Sequence, residues 1–255
     1  MNMTSKDSLP ELIAHRGNAG EYPENTLQAL ESAVELGLRY VEFDVQLTQD
    51  KVPVMFHDAD LQRVADRAES VHDLPWSQFA ELPVGEIKRL GRQHAFTYPS
   101  SLAQVVETIA RWNGVTAFVE VKRSSIRRFG RETVLRRISE VLRPVLDRCV
   151  LISFDLPSIK ILRMMTGARI GWVLDQYDDA SLQEAEALKP EFMFCNLERI
   201  PESTTQLWPG PWHWAVYEVR DIKTARHCQE LGAHFVETMT VRGMLHAYTE
   251  ARRKW

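Results

Sequence analysis

The chain has 255 residues, 44% of them hydrophobic and 26% charged, an ordinary globular balance at a length that fits one or two domains. A formal charge of −4 exerts no general pull on nucleic acid or an anionic membrane, so any bound anion must be held by a local site. Three cysteines, Cys149, Cys195 and Cys228, are too few and too scattered for a disulfide framework or a thiolate metal site. They lie in or beside apolar runs and read as small buried side chains.

The stretch from Met1 to Pro10 is polar and carries no apolar segment of the kind a signal peptide needs. No run approaches the ~20 apolar residues of a membrane span, so a soluble cytoplasmic protein is expected. Short apolar or β-branched runs then alternate with longer amphipathic segments, the pattern of parallel strands joined by helices. In chain order, strands are predicted at Leu12–His15, Tyr40–Val45, Ala117–Val121, Val150–Phe154, Arg169–Leu174, Phe192–Cys195, Trp212–Val216 and Phe235–Thr238. The clearest helical patterns are Glu24–Leu36, Leu102–Trp112, Glu132–Leu146 and Ile222–Leu231. Asp155-Leu156-Pro157 opens a further helix that stops near Gly167, while Asp221 reads as an N-cap with Gly232 beyond the other end. The final Ala251-Arg252-Arg253-Lys254-Trp255 suits a helix C-terminus, where cations complement the dipole.

One run breaks the rhythm. Val52–Phe56 follows Val41–Leu47 after only Thr48-Gln49-Asp50-Lys51, too short for a parallel crossover. It must be a hairpin return that carries His57 back to the end of the strand. Residues 58–100 have mixed charge and little periodicity and read as a small insertion over one end of the fold. The expectation is an α/β protein, a (β/α)8 TIM barrel over residues 1–255 as a single domain. A doubly wound open sheet is the alternative.

Clusters of chemistry-bearing residues fall at strand ends: His15-Arg16-Gly17, Glu42-Phe43-Asp44, His57-Asp58 and Glu120-Val121-Lys122. Side chains alternate along a strand, so Glu42 and Asp44 share one face, as do Glu120 and Lys122. Barrel active sites form at the C-terminal strand ends, where three converging carboxylates would repel one another without a cation. Oxygen ligands in that number suit Mg²⁺ or Ca²⁺. Arg16 offers a planar fork for phosphate oxygens and Lys122 a point charge, while two histidines can act as acid and base. A lone histidine at a strand end is ordinarily structural, and a single Glu-x-Asp ordinarily marks a solvated edge strand. Six ionisable residues at the ends of central apolar strands would each need a separate reason for burial, and together they point to a site.

Ile13-Ala14-His15-Arg16-Gly17, Pro23-Glu24-Asn25-Thr26, Glu42-Phe43-Asp44-Val45-Gln46-Leu47-Thr48-Gln49-Asp50 and His57-Asp58 resemble, in order and spacing, the signature of glycerophosphodiester phosphodiesterases. Tyr98-Pro99-Ser100-Ser101-Leu102, Glu120-Val121-Lys122 and Ser153-Phe154-Asp155 extend the likeness over most of the chain. The resemblance implies a barrel with a small inserted cap and one divalent cation, with Glu42, Asp44 and Glu120 as metal ligands. It implies His15 and His57 as the acid–base pair, Arg16 and Lys122 on the phosphate, and Phe154 and Trp214 lining the substrate pocket. Glu24 and Asn25 would pin the first strand-to-helix loop. The implied reaction is hydrolysis of a small glycerophosphodiester to an alcohol and glycerol 3-phosphate, with no nucleic acid and no stable membrane insertion.

The last third departs from the family pattern. Trp214-Ala215-Val216-Tyr217 replaces the usual tryptophan, threonine, valine and asparagine, and Thr238-Met239 the usual threonine and aspartate. Glu237 either substitutes for the lost carboxylate or faces solvent. Two other readings stay open. A lysophospholipase-D-like or phospholipase-C-like enzyme would use an apolar groove, for which Leu61, Val64, Val71 and Leu74 are candidates. A non-catalytic barrel that binds phosphorylated ligands would lack a member of the cluster, and none is missing.

Overall fold

The computed structural model describes residues 8–253; the Met1–Asp7 part of the polar N-terminus, and Lys254 and Trp255 of the basic end, lie outside the described residues. Eight parallel strands run β1 Glu11–Ala14, β2 Tyr40–Leu47, β4 Thr116–Val121, β5 Cys149–Ser153, β6 Arg169–Val173, β7 Phe192–Asn196, β8 His213–Tyr217 and β9 Phe235–Thr238. Each pairs with its neighbour, and β1 pairs with both β9 and β2, so the sheet closes into a barrel. The ninth strand, β3 (Pro53–Met55), returns antiparallel along β2, with Val45 opposite Met55. The expected hairpin is thus present, and the open doubly wound sheet is excluded.

Element ends follow local chemistry. The first helix begins at Leu27 rather than Glu24, because Asn25 is left-handed (φ 52°) and the Thr26 hydroxyl caps the Ala29 amide. The helix Arg131–Leu142 gives way to a tighter 3₁₀ segment, Arg143–Arg148, where Pro144 has no amide to donate. Asp155 caps Leu156–Thr166, which stops at left-handed Gly167, as expected. Between β7 and β8 the described chain forms only a short 3₁₀ turn, Leu197–Arg199, and an irregular loop. Pro201, Pro209 and Pro211 discourage a helix there, and buried Leu207 and Trp212 cover the sheet in its place.

Two apolar layers result. Outward-facing strand residues such as Val41, Phe43, Val45, Val119 and Leu151 pack under the helices. Inward-facing Ile13, Phe118, Val150, Phe192 and Phe235 fill the barrel, with Phe118 5.0 Å from Phe192 and 5.3 Å from Phe194 between ring centroids. Gly171 makes room for this stack: a Cβ there would lie 2.8 Å from Ile152 and 3.1 Å from Phe194. The aromatic plug closes the barrel below its C-terminal mouth. The insertion has its own small core, in which Leu61, Val64, Val71 and Phe79 pack on Val54 and Phe56 of the hairpin.

The β1–α loop is held by a tight approach. Gly17 has φ +78°, and a Cβ on it would lie 2.5 Å from the Ala29 carbonyl carbon. Gly17→Ala is expected to lower stability by about 1–3 kcal/mol, read as a shift in the urea midpoint; an unchanged midpoint would contradict this packing.

Candidate active site at the barrel mouth

Parallel register sets the centre of the site. Asp44 of β2 lies opposite Glu120 of β4, both pointing inward, with Glu42 one inward position below Asp44. Glu42, Asp44 and Glu120 each offer an oxygen within 4.8 Å of the others. Ligand oxygens held at ~2.0–2.6 Å by one Mg²⁺ or Ca²⁺ span about the same distance. The buried Glu42 Oε1 also lacks any hydrogen-bond partner, so the donor set fits a hard cation.

Asp44 is the most heavily held residue of the site. Its backbone amide donates to Asn25 Oδ1 (2.9 Å), and Asn25 Nδ2 donates back to Asp44 Oδ2 (2.8 Å). Lys122 Nζ lies 3.0 Å from Asp44 Oδ1 and 2.8 Å from Glu120 Oε1. Arg16, also left-handed (φ 56°), donates its amide to Glu42 Oε2 (2.9 Å) and approaches Asp44 Oδ2 with Nε at 3.4 Å. Burial opposes the Asp44 charge, but Lys122, His57 and Arg16 outweigh it and hold the carboxyl well below its ordinary range. Glu42 goes the other way: burial first, then Asp44, Glu237 and Glu120, raise its proton affinity. One pair of neighbouring carboxyls is thereby split into a firmly charged member and a reluctant one.

Both predicted histidines face this centre. His15 Nε2 lies 4.0 Å from Glu42 Oε2. Burial, reinforced by the Arg16 charge, lowers the His15 pKa to about 3, which keeps the imidazole neutral. His57 arrives on the hairpin return, its Nδ1 fixed by Asp58 Oδ1 at 2.5 Å. Gln46 Nε2 donates to the His57 carbonyl (2.8 Å), while Gln46 Oε1 accepts from Ser124, Ser125 and His72.

A chain of charges joins the two sides. Arg63 of the insertion donates to Asp58 through Nε (2.8 Å) and to both Glu24 oxygens (2.7 and 2.6 Å). Glu24 in turn accepts from Arg16 (2.8 Å). Sequence reasoning missed Arg63, which sits in an aperiodic stretch where nothing marks its partner. Gln46 carried a usable signal, because it continues the inward alternation Glu42, Asp44, Gln46.

The mouth contains a cavity of about 110 Å³. His15, Arg16, Glu42, Glu120, Lys122 and Glu237 line one half, and Ile152, Phe154, Val173, Phe194 and Tyr217 the other. Phe154 is therefore where it was expected, with the Arg123 guanidinium 4.9 Å over its ring. Trp214 is not. It points outward into the layer under the helices, where Nε1 donates to the Trp208 carbonyl (2.9 Å), because alternation along β8 gives the inward position to Tyr217. Glu237 does not face solvent: it is 4% exposed and lines the cavity. Leu61, Val64 and Val71 are buried in the insertion core, with Leu74 packed against it, so they form no groove. The three cysteines are free and buried, and burial pushes each thiol up to about 12. No described helix is long and apolar enough to cross a membrane.

Comparison with known proteins gives this barrel and its carboxylate centre a family. Residues 15–194 match the glycerophosphoryl diester phosphodiesterase family, and the chain belongs to that family. It is 36% identical over 110 residues to glycerophosphodiester phosphodiesterase 1 of Mus musculus, covering 43% of this chain and 33% of that one. The chain thus spans about a third of that relative's length. A glycerophosphodiester phosphodiesterase of Caldanaerobacter subterraneus is 27% identical over 219 residues, 83% of this chain and 88% of its own. The fold is shared with a phosphodiesterase of Oleispira antarctica solved in complex with its product sn-glycerol-3-phosphate, at TM-score 0.80 and 23% identity over 94% and 97% of the chains.

The neutral state of His15 has a consequence for stability. In the unfolded chain the imidazole takes up a proton near 6.5, whereas in the fold it does so only near 3. Between those values the unfolded state binds more protons, so stability rises with pH and is lost on acidification from about 6.5. Urea midpoints from pH 4.5 to 6.5 should slope upward in the wild type and less steeply in His15→Gln; equal slopes would contradict the assignment.

Proposed function

We propose that this protein hydrolyses glycerophosphodiesters to an alcohol and sn-glycerol 3-phosphate, as one catalytic barrel over residues 1–255 with residues 58–100 inserted. The observation that carries the reading is the meeting of two imidazoles, two cations and three carboxylates around one cavity. Family membership supports the substrate class.

Glu42, Asp44 and Glu120 would hold one divalent cation, Mg²⁺ or Ca²⁺, which when bound neutralises charge on the phosphoryl oxygens. Arg16 and Lys122 flank the carboxylates and would bind the phosphate, Arg16 through its planar fork and Lys122 as a point charge. His15, kept neutral by burial, is suited to accept the proton of the attacking hydroxyl, whether water or the glycerol hydroxyl. His57 has Nδ1 held by Asp58, which leaves Nε2 to deliver a proton to the departing alkoxide. Arg63 fixes Asp58 and thus the ring of His57, while its grip on Glu24 orients Arg16. Phe154 contributes to the apolar wall for the alcohol.

The lipid-directed alternative has less support, because the apolar side chains it would recruit from the insertion are buried in that segment's own core. A non-catalytic binding role would have no use for two oriented imidazoles.

The test is hydrolysis of a glycerophosphodiester panel with divalent cation or chelator present, followed through glycerol 3-phosphate. His15→Ala and His57→Ala should abolish turnover with the fold intact, and wild-type rates in either would remove the mechanism. A p-nitrophenyl diester, whose leaving group needs no proton, should restore His57→Ala far more than His15→Ala; the reverse would exchange their roles. Arg63→Ala should lower kcat roughly 10- to 100-fold and recover in part with added guanidinium, whereas an unchanged kcat would remove its positioning role.

A further inference from the structure

Beside the cavity, one buried amide is bonded at both ends without taking part in the chemistry above. Gln46 follows Asp44 on the inward face of β2 and is fully buried. Its Nε2 donates to two consecutive carbonyls, those of His57 (2.8 Å) and Asp58 (3.2 Å). No other donor reaches either carbonyl among the described residues. Its Oε1 accepts from Ser124 Oγ (2.8 Å), Ser125 Oγ (2.7 Å) and His72 Nε2 (3.1 Å). Ser125 Oγ in turn accepts from the Leu47 amide (2.9 Å).

These partners leave the amide one orientation. Carbonyls only accept, so the amino end must face the His57–Asp58 turn; an oxygen there would meet two carbonyl oxygens with no proton between them. At the other end, an oxygen that only accepts requires His72 to carry its proton on Nε2. The donors come from separate segments. His72 belongs to the insertion, while Ser124 and Ser125 sit in the first turn of the helix Arg123–Phe129, just after Lys122. One side chain thus ties both segments to the turn that carries His57.

The turn needs that tie. The last backbone bond between the return strand and β2 runs from the Phe56 amide to the Asp44 carbonyl (3.0 Å), and His57 lies just past it. The His57 side chain is 28% exposed, so packing alone does not fix it. Asp58 orients the ring through Nδ1 but belongs to the same turn. A correct ring angle on a displaced backbone would still carry Nε2 away from its target. We propose that Gln46 is a positioning residue for His57: its amide places the His57–Asp58 backbone, and through it the Nε2 that meets the departing oxygen. The inference rests on the hydrolase reading of the site and on the acid role given to His57.

A misplaced acid harms only substrates whose leaving group needs a proton. The experiment measures kcat and KM for wild type, Gln46→Met and His57→Ala with glycerophosphoethanolamine and with the p-nitrophenyl diester of glycerol phosphate. Methionine keeps the length of the side chain and removes its hydrogen bonds. On glycerophosphoethanolamine, Gln46→Met should lose roughly 10- to 100-fold in kcat with KM little changed. On the p-nitrophenyl diester it should stay within about threefold of wild type, the same selective pattern as His57→Ala. Loss by one factor on both substrates would mean that the carboxylate centre or the fold is disturbed, and would overturn the proposal. An unchanged kcat on glycerophosphoethanolamine would overturn it too. Should Gln46→Met fail to fold, Ser124→Ala decides, because it removes one of the three donors to the amide oxygen. It should slow glycerophosphoethanolamine selectively, by a smaller factor, and wild-type rates on that substrate would overturn the proposal. Equal loss of both substrates in His57→Ala removes the acid role and this inference with it, whereas no turnover by the wild type removes the hydrolase reading.

Discussion

Three carboxylates are forced together at the mouth of a barrel by strand register, and most of the site answers that repulsion. Asp44 and Glu120 are opposite one another across β2 and β4, and neither can turn away without exposing Val45 or Val121 on the alternate face. Positive charge is therefore supplied from the sides that can reach, Lys122 between the two and Arg16 from the β1 loop, and the proposed divalent cation would take the remaining space. Left-handed backbone at Arg16 and Asn25 is part of the same solution. These strained residues persist because their amides and side chains grip Glu42 and Asp44.

The insertion contributes to this balance from outside the barrel. Through Arg63 it links Glu24, which holds Arg16, to Asp58, which holds His57. The Arg16 and His57 sides of the site are thus joined by one guanidinium that the barrel itself does not supply. The Pro53–Met55 return strand, with Phe56 just beyond it, anchors the segment, whose apolar side chains bury themselves against Val54 and Phe56.

Much of this was legible in the sequence because barrel strands advertise themselves twice, by apolar runs and by polar residues at their C-terminal ends. The hairpin, the paired histidines and the carboxylate trio followed from spacing and alternation alone. Trp214 was expected in the pocket from the family resemblance, but alternation along β8 turns it to the helix face, where an aromatic side chain packs equally well. Arg63 was invisible because a salt bridge across 39 residues leaves no periodic trace. The helix-free passage between β7 and β8 was not read from the sequence, although Pro201, Pro209 and Pro211 lie in it.

Glu42, Asp44 and Glu120 are proposed to form one site for a divalent cation. Calorimetric titration of Mg²⁺ or Ca²⁺ into metal-free wild type, Asp44→Asn and Glu120→Gln tests it most directly. One equivalent should bind to the wild type, with affinity reduced about tenfold or more in each variant. Equal affinity in all three proteins, or no binding to the wild type, would contradict it.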